Sequence, residues 1–233
     1  HFTPSKPVKA EFINNTLRFK IWMVSLITLF TVILLLAVGD PLILLYLQGE
    51  GTAESVASTL RYGREYLHIM LPGLIPFMLV QVYSSTLREC GKTILPMKAG
   101  VIAVLVNLIL NYILIYGKFG APALGVRGAA IATVISRFVE CAIVLIHTHR
   151  RAQEHPFVLG LYATLKVPAS LMIKIITKGM PLLLNETLWA AGTAMLTQCY
   201  SVRGLNVIAA LNISNTINNV FNIVFIALGE SVA

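Results

Sequence analysis

The segment Asn212–Asn222 reads NISNTINNVFN, five asparagines in eleven residues. It lies within Gly204–Gly229, which has no charged side chain and is otherwise mostly Leu, Ile, Val, Ala and Phe. At 100° per residue, Asn212, Asn215, Asn219 and Asn222 share one stripe of a helix, with Asn218 beside it. An unpaired amide in an apolar setting costs about 2–7 kcal/mol. The stripe must therefore face partner helices or a water-filled cavity. Interhelical hydrogen bonding would need one or two amides. A stripe about 15 Å long favours a wet cavity, so these four asparagines are candidate substrate-cavity residues.

Glu186 is the one charge in the apolar run Gly179–Val202. A carboxylate at membrane depth is a functional candidate, able to carry a proton or to ligate a cation. Its alternative is a protonated acid bonded to a neighbouring helix. Asn107 and Asn111 are an i, i+4 pair on one helix face, and Thr133 lies in the small-residue tract GAAIATVIS. Arg137 and Glu140 are three apart and can neutralise each other. No catalytic set emerges. Glu140 and Glu186 are on separate helices, and His68 is the one histidine expected within the membrane, which argues against an integral-membrane enzyme. His147, His149 and His155 have no cysteine or carboxylate cluster with them and read as a solvated loop. Neither a metal nor an organic cofactor is expected. Cys90, Cys141 and Cys199 have no paired spacing and read as thiols.

The elements that must position these residues are membrane helices. The chain is 57% hydrophobic and 12% charged, whereas a soluble domain is about a quarter charged. Six apolar runs stand out, 21–39, 66–87, 99–117, 128–147, 179–202 and 204–229. Each is long enough to cross a hydrocarbon core about 30 Å thick. The fold class is all-α, a polytopic membrane protein with six transmembrane helices. Pro72, Gly73 and Pro76 should kink the second helix, and Gly39-Asp40-Pro41 reads as a helix-breaking turn.

The net charge of +8 is distributed by topology. Twelve basic residues, from Lys6 to Lys20, Arg88 to Lys98 and Arg150 to Lys178, fall on one side; five, Arg61, Arg64, Lys118, Arg127 and Arg203, fall on the other. The richer side should be cytoplasmic. That placement follows membrane topology, so nucleic acid is not an expected partner. The lipid bilayer is. The organisation expected is residues 1–148 with four transmembrane helices, 149–178 as a cytoplasmic connection, and 179–233 with two more. The chain begins at His1 and stops just past a helix, so a fragment of a longer protein is expected.

Three tracts carry a resemblance. LNYILIYGKFGAPALGVRGAAIATVISR (Leu110–Arg137), STLRECGKTILPM (Ser85–Met97) and YSVRGLNVIAALNISNTI (Tyr200–Ile217) are similar to the multidrug and toxin extrusion (MATE) transporters. The resemblance implies about the third to the eighth helix of a two-lobe, twelve-helix protein. It implies secondary active efflux of organic cations or drugs in antiport with Na⁺ or H⁺. A monomer in the plasma membrane, the inner membrane of a bacterium, is expected. Asn107 and Thr133 match positions that hold the coupling cation in such proteins. Asn111 falls where the family carries an acidic residue, so this lobe has less charge. Glu186 lies on the helix where some members place a Glu. The alternative weighed is a lipid-linked-sugar exporter of the same two-lobe plan, which needs a basic cavity for pyrophosphate; within the helices only Arg137 offers such a charge. A channel would show no coupling to a second ion.

Overall fold

The computed structural model describes residues 6–46, 53–159, 161, 167–201, 203 and 205–232. Among them there is no β-strand. The α-helices in chain order are α1 Lys6–Tyr46, α2 Ala53–Met70, α3 Leu74–Glu89, α4 Ile94–Tyr116, α5 Val126–Arg150, α6 Ala169–Ser201 and α7 Leu205–Val232. Among the described residues four helical stretches are long and apolar enough to cross a membrane: Glu11–Leu45, Val56–Glu89, Ile94–Tyr116 and Val126–Arg150. They carry exposed Leu29, Phe30, Val104 and Leu108, the surface that lipid tails require. The runs expected as the fifth and sixth crossings lie on α6 and α7, of 33 and 28 residues. The chain is a multi-pass membrane protein.

Contacts divide the chain into two units, His1–Gly39 with Arg61–Gly179, and Asp40–Leu60 with Met180–Ala233. α2 and α3 follow one another in one membrane-length stretch, Val56–Glu89, whose part from Arg61 onward lies in the first unit. A single 3₁₀ turn, Leu71–Gly73, joins them, with Pro72 inside it. Gly73 is buried there, and a Cβ on it would stand 3.1 Å from the Val134 side chain of α5. The 3₁₀ turn is thus held by a close helix approach as well as by proline.

Two expectations are corrected. Gly39-Asp40-Pro41 is not a turn: α1 continues through it to Tyr46 with Pro41 inside the helix. Proline removes one backbone donor, a loss that membrane helices tolerate by local readjustment. The histidine segment is not simply a solvated loop either. After Arg150 the chain folds back as a strap, with a 3₁₀ turn at Pro156–Val158. Phe157, Val158 and Leu161 are buried with Leu17, Val82, Tyr83, Leu87, Ala99 and Val144. His155 is also buried, its ring tilted against Phe157. The Asn14 amide donates to the carbonyls of Phe157 (2.7 Å) and Leu159 (3.1 Å), and Arg18 Nε donates to Leu161 O (2.9 Å). Burying apolar side chains and satisfying strap carbonyls outweighs the pull of a locally polar sequence. Lys174 and Lys178 lie on α6, which starts at Ala169. Among the described residues no three metal-ligating side chains come together, and none of the three cysteines is in a disulfide.

Candidate functional site

The site lies where α4 meets α5. Gly117 ends α4 in the left-handed conformation, φ 64°. The chain then returns into α5 at Gly125, also with positive φ. Gly128 sets the closeness of the helices. A Cβ there would sit 2.6 Å from Leu114 O, nearer than real atoms approach, so only glycine permits this crossing. Ala130 and Ala132 follow, both fully buried. Small residues at an interface are how membrane helices pack without a hydrophobic drive between them.

On this tight interface Asn107, Asn111 and Thr133 come together. Asn111 Nδ2 donates to Asn107 Oδ1 at 2.9 Å. Asn107 Nδ2 in turn points at Thr133 Oγ1 (3.4 Å) and Ser136 Oγ (3.5 Å). The two hydroxyls donate back to their own helix, Thr133 to Ala129 O (2.9 Å) and Ser136 to Thr133 O (2.8 Å). Their lone pairs therefore face the amides. The chain of bonds ends at Asn111 Oδ1, which is buried and accepts no hydrogen bond among the described residues. Such an atom calls for a donor or a cation. The ladder opens on a cleft of about 280 Å³ lined by Gly100, Asn107, Thr133, Ser136, Arg137 and Glu140 among others.

Arg137 and Glu140 form the ion pair their spacing predicts, Nη1 to Oε2 at 3.1 Å. The Glu140 side chain is 12% exposed and that of Arg137 is 43% exposed. The guanidinium also stands over the Phe77 ring of α3, 5.2 Å from its centroid. Ser136 and Phe77 went unnoticed in the sequence. The signal for Ser136 was available: with Thr133, Arg137 and Glu140 it keeps the three- and four-residue spacing of one helix face. Nothing local marks Phe77.

Glu186 lies in α6 and Asn212, Asn215, Asn219 and Asn222 in α7, all in the second unit, and all five are exposed. α7 is helical throughout the asparagine segment, so the 3, 4, 3 spacing does put those four amides on one face. The ladder on α4 and α5 belongs to the first unit.

The MatE family model matches residues 9–113. A relative named "Probable multidrug resistance protein NorM", from Thermotoga maritima, is 33% identical over 226 residues, 94% of this chain and 46% of the relative. The chain belongs to the MATE family. Another member, "Probable multidrug resistance protein YoeA" of Bacillus subtilis, is 26% identical over 86% of this chain and 43% of its own length. "Multidrug resistance protein MdtK" of Edwardsiella ictaluri is 44% identical over a shorter stretch, 29% of this chain and 15% of the relative. The chain thus spans about half the length of the curated MATE relatives it matches most fully. No solved structure matches it.

Proposed function

We propose that the full-length protein carrying this chain is a secondary active exporter. It expels amphipathic or cationic small molecules in exchange for Na⁺ or H⁺, by alternating access. The observation that carries this reading is the neutral oxygen ladder with its unfilled Asn111 Oδ1, set between two membrane-length helices of a MATE-family chain. Amide and hydroxyl oxygens suit a hard cation such as Na⁺, and their neutrality keeps the hold weak enough to release it. In this reading Asn107, Asn111 and Thr133 contact the coupling ion. Glu186 supplies a titratable charge in the second unit, and Asn212, Asn215, Asn219 and Asn222 line the substrate path. One charge crossing 100 mV supplies about 2.3 kcal/mol, enough for a roughly 50-fold substrate gradient. The protein works as a monomer in the inner membrane of a bacterium.

The test is ethidium export by the full-length protein in an efflux-deficient bacterium. Na⁺ and H⁺ gradients are collapsed in turn. Export that stops with one gradient supports the reading and names the ion; export indifferent to both, or none despite membrane expression, overturns it. Two variants then assign the second unit. Asn215→Leu with Asn219→Leu should abolish export at normal membrane abundance. Glu186→Gln should leave export running without its ion gradient, and a fully coupled variant would remove Glu186 from the mechanism.

A further inference from the structure

Arg137 is shared by two neighbouring cavities. One, about 280 Å³, holds Asn107, Ser136 and Glu140; the other, about 220 Å³, is lined by Met70, Leu74, Phe77 and Val134. Thr133 and Arg137 line both. Each is below the 300–1,000 Å³ or so of a small-molecule site, and joined they would fall within that range. One of these two shared side chains is a cation on a flexible stem. Its guanidinium stacks over an aromatic ring and pairs with a carboxylate. An aromatic face with an adjacent acid is also what recognises an organic cation.

We propose that Arg137 is a tethered stand-in for the transported cation, and that a planar organic cation displaces it from Phe77 and Glu140. The two cavities then merge into one chamber. The proposal rests on the export reading and names the ligand class of the α4/α5 cleft. Charge balance supports it. Glu140 is nearly buried, and removing its partner alone would leave an uncompensated charge in a poorly solvated place. Exchanging one cation for another leaves the carboxylate paired throughout, and the displaced guanidinium swings to the open side of α5, where 43% of its side chain is already exposed. Arg137 can move because its side chain is 43% exposed and because its partner lies on its own helix, so no helix need shift. On substrate release the guanidinium returns, which helps expel the ligand and resets the site. The same competition filters ligands: a neutral molecule cannot repair the Glu140 charge and gains no entry.

The experiment is equilibrium binding of ethidium to the purified full-length protein in nanodiscs, followed by fluorescence. Arg137→Gln removes the competitor and should tighten ethidium about tenfold. Glu140→Gln and Phe77→Leu should each weaken it about tenfold. Arg137→Gln leaves Glu140 bare and could impair folding. The double variant Arg137→Gln with Glu140→Gln leaves no charge unpaired, and it should bind ethidium as weakly as Glu140→Gln alone. Wild-type binding that none of these substitutions changes overturns the tethered-cation inference and leaves the export reading standing. A wild-type protein that neither binds nor exports ethidium overturns both.

Discussion

Asn111 donates to Asn107, and among the described residues its own buried oxygen accepts no hydrogen bond. A buried acceptor in that state costs about 1–3 kcal/mol, a cost that a bound cation removes. Asn111→Asp would add a full negative charge at the same spot. In the proposed exporter it should lower the Na⁺ concentration for half-maximal export about tenfold, equivalent to roughly 1.4 kcal/mol; an unchanged Na⁺ dependence would count against a cation at the ladder. His155, outside the membrane-length helices, gives a second residue-scale test. Burial holds its imidazole below the ordinary range, with Lys92, His147 and Arg151 adding to the depression and Glu154 opposing it. In the unfolded chain it titrates near 6.5. Below that value the unfolded state takes up its proton first, so stability is complete above about pH 6.5 and falls as pH drops towards the folded pKa. Tm in detergent should decline between pH 7.5 and pH 5, and His155→Gln should flatten that decline.

At the scale of elements, two contacts decide how the helices sit within the first unit. Gly128 is one. Gly128→Ala pushes a methyl into Leu114 O and should cost about 1–3 kcal/mol, as overpacking does. A lowered Tm together with weaker ethidium binding would be expected, because α4 and α5 carry the cleft between them; an unchanged Tm would mean the helices part freely. The strap is the other. Asn14→Ala strands the carbonyls of Phe157 and Leu159. Amide exchange over residues 151–161 should then accelerate at least tenfold while α4 stays protected. Equal protection in the variant would show that the buried Phe157, Val158 and Leu161 hold the strap without the amide.

For the whole molecule, what could be read in advance was what depends on neighbours along the chain. The apolar runs predicted helices because hydropathy and length are local quantities. The Arg137–Glu140 pair and the Asn107–Asn111 bond followed from three- and four-residue spacings. The 3₁₀ turn at Leu71–Gly73 falls where Pro72, Gly73 and Pro76 predict a helix distortion. What escaped depends on distant partners. The strap 151–161 is polar enough to pass for a loop, and its burial is decided by Leu17, Tyr83 and Val144. Phe77 gains meaning only from Arg137 on another helix. Pro41 misled because a proline that breaks a helix in water is tolerated in a long membrane helix. The family resemblance reached Asn107, Asn111 and Thr133, yet by itself it gave no hint that Asn111 Oδ1 lacks a partner.

The clamp between Asn14 and Phe157 closes across 143 residues. A ribosome adding about 5–20 residues per second needs roughly 7–30 s to make that much chain. For all of that time the first helix is made while the backbone its amide will hold does not exist. Leu17, buried against Phe157, Val158 and Leu161 in the finished protein, has no strap over it in that interval. The order of synthesis therefore leaves the base of α1 uncovered, and open to proteases and misassembly, until the strap emerges.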